Sequence, residues 1–307
     1  MAVLRAACFG KLPFHREFLR LGLDSGGASW VVHWLEAAHE AWSRAGTAPD
    51  ASAAVRFAAP APAGSGLVAG VVRQSSDGLR RHPVAVFVSA PEGVDAARWH
   101  LLPLALDDTW AGLEALLARE FGAVAELDEA LAAGVPGPAL DAAEESYRTA
   151  LALPVTAPSW EAFAGGEGDG ARHLALNLLT VARAQREAQG AADGVSLVVP
   201  LHGEPPSVRA SLWLELFAAA AGVAVQPVIA LHPDPVRLFA FYRPAEGADL
   251  AAMLSSPAMA PIDDLSEAWQ TLPPSEAALA SALDAVVAAG GETLGSLPAR
   301  LRAAAAL

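Results

Sequence analysis

Apolar positions along this chain follow two periods, and the change from one to the other marks out its elements. Residues 3–9 are an apolar run halted by Gly10 and Pro13, which reads as a strand. Ser29 suits an N-cap, and behind it Trp30, Trp34, Ala37, Ala38, Ala41 and Trp42 recur at helical spacing as far as Gly46. The opposite face of that helix, with His33, Glu36, Glu40 and Ser43, is polar. Residues 67–72 and 84–88 are valine-rich runs bounded by turn residues, which predicts two neighbouring strands whose connecting segment is long for a hairpin. Helical spacing returns over 110–121, continues in acidic, alanine-rich sequence to about Leu131, and breaks at Gly134-Val135-Pro136-Gly137-Pro138. A short helix is predicted over 141–151, a loop through Pro154, Pro158 and the glycine-rich stretch 165–170, and a longer helix over 171–189. Then follow a strand at 195–200, a helix at 207–221 and strands at 223–231 and 236–242, the last two joined by His232-Pro233-Asp234-Pro235.

Strands interleaved with helices need cover on both faces of their sheet, which points to an α/β fold, a three-layer α/β/α sandwich around a mixed sheet. One main domain over residues 1–256 is expected, followed by a proline-punctuated helical extension over 257–307. In that extension Ser275 is the expected cap of a helix at 277–289 carrying a single apolar stripe, Leu279, Leu283 and Val286. A stripe so narrow predicts that the extension can be removed at smaller cost than the main body.

The charge balance changes the picture locally. With 20 basic against 34 acidic residues the net charge is −14, which argues against nucleic acid or an anionic membrane as the main partner. Yet Arg5, Lys11, Arg16 and Arg20 crowd the first twenty residues against Glu17, and Arg73, Arg80 and Arg81 gather in a second cluster, together suggesting an acid-facing surface. Lys11 is the only lysine of the chain. The single cysteine, Cys8, permits no intrachain disulfide and suits a reducing compartment, with burial in a strand as its expected fate. Arg5 and Lys11 interrupt any signal-peptide stretch, and the apolar run at 216–225 falls short of the ~20 residues that span a bilayer. A cytoplasmic protein without membrane insertion is expected.

Several chemistries can be tested on motif logic. Gly10-Lys11 fails as a phosphate loop, because no Ser or Thr follows the lysine, the earlier glycine is absent and Pro13 removes a backbone donor. His39-Glu40 starts like a zinc-binding H-E-x-x-H helix, but position 43 is Ser and the eight histidines are scattered, so no metal or other cofactor is expected. His15 with Ser75 and Asp77 offers the one alternative of enzymatic character, a small hydrolase or transferase, if the two segments meet. Arg81 suits both an ion pair with Glu17 or Asp77 and an interface.

The segments Gly10-Lys11-Leu12-Pro13-Phe14-His15-Arg16-Glu17-Phe18-Leu19-Arg20 and Ser75-Ser76-Asp77-Gly78-Leu79-Arg80-Arg81-His82-Pro83 together resemble the TagF (ImpM) family of type VI secretion-associated proteins. Gly10, Lys11, Leu12, Pro13, His15, Phe18 and Arg20 match its G-K-L-P-x-H-G-D-F-V-R pattern, and Ser75, Asp77, Arg81 and Pro83 match S-x-D-R-x-G-R-x-F-P. Arg16 and Glu17 stand in place of Gly-Asp, Gly78 in place of Arg and Arg80 in place of Gly, which marks a divergent member. The resemblance implies an α/β/α sandwich and a noncatalytic accessory role. That role is post-translational restraint of type VI secretion assembly or firing, exerted by binding a cytoplasmic component such as a forkhead-associated-domain scaffold. Gly10, Lys11, Pro13, His15, Arg16, Glu17, Phe18, Arg20, Ser75, Asp77, Arg80 and Arg81 are the candidate partner-binding and motif residues.

Overall fold

The computed structural model describes residues 2–24, 27–45, 54–61, 66–76, 81–153, 169–188, 193–203, 205–234, 236–255, 262–266 and 293–306. In chain order these form β1 (Val3–Leu4), β2 (Ala6–Leu12), β3 (His15–Leu21), α1 (Ala28–Ala45), β4 (Ala54–Pro60), β5 (Leu67–Ser76) and β6 (Arg81–Ala90). A short 3-10 turn at Ala96–Leu101 leads into α2 (Leu102–Ala105), α3 (Asp107–Ala118), α4 (Val124–Ala133), β7 (Val135–Pro136) and α5 (Leu140–Ala152). The rest comprises α6 (Asp169–Glu187), β8 (Ser196–Pro200), α7 (Pro206–Ala221), β9 (Val228–Pro233), β10 (Val236–Phe241), α8 (Gly247–Leu254), β11 (Asp263–Asp264) and α9 (Leu297–Ala305). Among the described residues no helix is long and apolar enough to cross a membrane.

Nine strands make one sheet in the order β11-β8-β10-β9-β4-β5-β6-β2-β3, while β1 pairs separately with β7. Neighbours run antiparallel except β11 against β8, so the sheet is mixed. The first half of the chain contributes five adjacent strands and the second half four. The β4–β9 ladder, Arg56 opposite Leu231 through Ala58 opposite Ile229, joins the two groups.

Period-2 alternation sends side chains to two separate cores. Ala6, Cys8, Val84, Val86, Ala69 and Val71 face a large core shared with α2 to α7 and α9. Ala7, Phe9, Ala85, Phe87, Val68 and Val72 face a smaller one shared with α1 and α8. Burial on both faces explains why the central strands read as continuous apolar runs and confirms the three-layer α/β/α sandwich. Four strands escaped the sequence reading, the two-residue β7 and β11 and the longer β3 and β4. His15–Leu21 carries one fully buried residue, Leu19, and Ala54–Pro60 is largely alanine, so neither shows the valine-rich signal.

The smaller layer depends on tryptophans used as hydrogen-bond donors. Trp34 Nε1 donates to Glu246 O at 2.8 Å and Trp42 Nε1 to Ala251 O at 3.3 Å, tying α1 to α8. Gly247 stands where a Cβ would strike Ala37, so the two helices meet at backbone distance. At the start of α8 the Asp249 carboxylate, 0% exposed, accepts from Arg243 Nη2 at 2.6 Å, from Arg243 Nη1 at 2.8 Å and from the Glu246 backbone at 2.7 Å.

The extension is described over 262–266 and 293–306. There β11 extends the sheet beside β8, and Leu265, Leu294, Leu297 and Leu301 enter the large core. The helix expected at 277–289 and the glycine-rich stretch 165–168 lie outside the described residues.

Two outcomes follow. Asp249→Ala strands the Arg243 charge and is expected to cost about 3–5 kcal/mol, read as a lower urea midpoint. Cys8 is buried and its thiol is pushed up to about 12 by desolvation. It is therefore expected to react with a thiol reagent at pH 8 no faster than the protein unfolds globally, and rapid labelling of the native protein would contradict that burial.

Candidate functional site

The first motif is a tight hairpin. Leu12 sits opposite His15, which leaves Pro13 and Phe14 as the turn between β2 and β3. Gly10 has φ +133°, and a Cβ there would lie 2.5 Å from Pro83 O and 2.6 Å from Val84 Cα. Only glycine combines that φ with the close passage of β6, where Gly10 is opposite Val84. The ladder shifts register between Gly10–Leu19 and Leu12–His15, so that Lys11 alone stands against residues 16–18 of β3, and its Nζ lies 5.2 Å from the centre of the Phe18 ring.

The second motif comes to the same place. Its strands β5 and β6 extend further than their valine runs, pairing as far as Ser76 opposite Arg81, so the connection shrinks to the four residues 77–80. Asp77 and Arg80 lie in that connection, outside the described residues, as does the side chain of Arg81. Ser75 is opposite His82. The His82 ring, 6% exposed, meets the edge of Phe18 at 5.3 Å and the ring of His39 on α1 at 4.5 Å. His39 therefore packs within the patch. Phe18 also stacks on Phe9 at 5.8 Å, and the Arg20 guanidinium lies 5.3 Å over Phe9 and 3.3 Å from Glu36. Lys11, Phe18, Arg20, His39 and His82 thus form one cation–aromatic patch on the α1 side of the outer strands, with Arg16 and Glu17 exposed beside it on β3.

The same geometry separates the enzymatic candidates. His15 lies on β3 and Ser75 on β5, with β6 and β2 between them. Three strand steps of about 4.8 Å put their backbones roughly 14 Å apart, beyond hydrogen-bond reach. Among the described residues no three His, Cys, Asp or Glu side chains are grouped to hold a metal ion.

Under the hairpin, on the other sheet face, a cleft of about 510 Å³ is walled by Pro13, Phe14 and the C-terminal end of α3. Phe14 and Phe121 meet there at 6.3 Å, and Arg119 covers Phe121 at 4.9 Å. Arg73 donates from Nη2 to the Leu117 carbonyl, and desolvation lowers its pKa. A second cleft, of about 500 Å³ beside β4, holds Arg56, which grips Glu114 with Nε at 2.7 Å and Nη2 at 2.9 Å and reaches Asp107 at 3.4 Å. Burial raises the Asp107 pKa against the lowering effects of Ser207 and Arg56. Elsewhere Tyr147 donates to Glu215 Oε2 at 2.6 Å, binding α5 to α7, with His100 at 5.4 Å held below its ordinary pKa mainly by burial. Arg73 and Arg56 tie α3 to the sheet and Tyr147 with Glu215 ties α5 to α7, and spacing in sequence signals none of these pairs.

Residues 7–157, which carry both motifs, the patch and the cleft under the hairpin, match the family described as TagF N-terminal domain, type VI secretion system-associated. This part of the chain is a TagF N-terminal domain. It supplies β2 to β6 and α1 to α5, the five adjacent strands at one side of the sheet with their helices. PA0076 from Pseudomonas aeruginosa PAO1, known from a crystal structure, is 27% identical to this chain. That match covers 44% of this chain and 64% of that one, with a TM-score of 0.34. No curated protein matches the chain.

Gly10→Ala is the sharp test of how the motifs meet. With a positive φ and Pro83 O in the way, it is expected to destabilise the fold by roughly 1–3 kcal/mol, and tryptophan fluorescence during urea unfolding measures it. Unchanged stability would mean that β2 and β6 do not approach as described.

Proposed function

We propose that this type VI secretion-associated protein is a noncatalytic cytoplasmic regulator. It acts after translation by binding an acidic surface of a secretion component through Lys11, Arg16 and Arg20, and we assign the motif residues Arg80 and Arg81 to the same role. A forkhead-associated-domain scaffold is the component we favour, and restraint of assembly or firing is the outcome. One observation carries this reading: both motifs contribute to a single cation–aromatic patch at the sheet edge of a chain whose net charge is −14. Cations concentrated on an otherwise acidic surface steer an acidic partner and reject others of like charge, and their effect weakens with salt.

The double reversal Lys11→Glu, Arg16→Glu tests it. Capture of the cognate forkhead-associated protein by the purified chain is expected to fall at least about tenfold, equivalent to about 1.4 kcal/mol, with circular dichroism unchanged. Undiminished capture by the variant, or no capture by the wild type, would overturn this function.

A further inference from the structure

At one end of the nine-strand order stands β3, hydrogen-bonded to β2 on one side and, among the described residues, to no strand on the other. An open strand edge is a template for another chain, and proteins guard such edges with charge, as Arg16, Glu17 and Arg20 do here. Protection alone does not account for Phe18. It is 42% exposed and is the one aromatic among the large apolar side chains that the described residues leave exposed. Phe18 and Arg20 both lie against the Phe9 ring, on the face of β3 away from buried Leu19, and exposed Arg16 stands two residues before Phe18 along the strand. The open edge therefore presents cation, aromatic, cation at two-residue spacing, with Lys11 beside the aromatic ring.

We propose that β3 is a strand-acceptor site whose occupant is an extended partner segment with an acidic residue two positions to either side of an apolar one. Backbone N–H and C=O groups supply the pairing, and cross-strand neighbours select the sequence: carboxylates opposite Arg16 and Arg20, an apolar side chain opposite Phe18. The 3.3 Å contact of Arg20 with Glu36 joins two half-exposed side chains and is weak enough for an incoming carboxylate to share the guanidinium. A second copy of the chain fits poorly. Antiparallel pairing of β3 with itself about Phe18 sets Arg16 opposite Arg20 twice, and like charges directly opposite are destabilising. The inference rests on the proposed function in assigning the segment to a secretion component; the acceptor geometry stands by itself.

The probe is a fluorescein-labelled synthetic peptide, Ser-Thr-Glu-Thr-Val-Thr-Glu-Thr-Ser, titrated against the full chain and followed by anisotropy. Two N-methylated isomers accompany it, one methylated on the Glu, Val and Glu amides and the other on the Thr amides between them. Only one of these amide sets faces an acceptor strand. One isomer is therefore expected to lose at least about tenfold in affinity while the other binds more nearly like the parent. A lysine-for-glutamate peptide is expected not to bind, and Arg16→Glu, Arg20→Glu protein is expected to reverse that preference. Failure of the parent peptide to bind at about 1 mM overturns the acceptor site, as does equal binding by the lysine peptide. If both methylated isomers bind like the parent, side chains alone make the contact and strand addition is wrong. The electrostatic function then stands or falls separately, on the capture experiment with the Lys11 and Arg16 reversal.

Discussion

The β4–β9 ladder is the joint on which this architecture depends. Three residue pairs, Arg56 to Leu231, Phe57 to Ala230 and Ala58 to Ile229, turn five strands from the first half of the chain and four from the second into one sheet. Both cores continue across that joint. Ala58 and Ile229 lie in the large core, Phe57 and Ala230 in the small one. The pairing is reinforced from above by α3, where Trp110 Nε1 donates to the Phe57 carbonyl at 3.2 Å and Glu114 holds Arg56. The family match ends at residue 157, while the hydrogen bonds of the sheet run past that limit without a break.

The motif that carries the family resemblance divides its labour along the strand. Gly10, Leu12, Pro13 and Phe14 are architectural: they bring β2 against β6, bulge the ladder, turn the chain and wall the cleft beneath. Arg16, Glu17, Phe18 and Arg20, past the turn, lie on the outermost strand and are exposed. The departures from the family pattern at Arg16 and Glu17 thus fall on exposed positions, where substitution disturbs no core contact. His82, in the second motif, stands at the boundary between these roles, because its buried ring supports Phe18 from below and touches α1 through His39.

Much of the fold was legible in the chain because its physical causes are local. Helical periodicity marked α1 and α5 through α7 to within a few residues and ran α3 and α4 together as one stretch, and valine-rich runs marked β5 and β6. The need to cover two apolar faces pointed to three layers. The basic clusters were legible as composition, since a charge is visible in any context. What the chain could not announce was juxtaposition. That β3 is a strand at all is a consequence of its pairing with β2, because a single buried leucine among charges gives no strand signal. That His82 reaches Phe18, that Tyr147 reaches Glu215 and that Asp249 is neutralised by Arg243 are results of strand order and helix packing. So too is the roughly 14 Å between His15 and Ser75, residues that motif logic alone had allowed to meet. Local pattern set which surfaces of each element are apolar; the sheet order, chosen by burying all of them at once, set which polar side chains stand together at the edge.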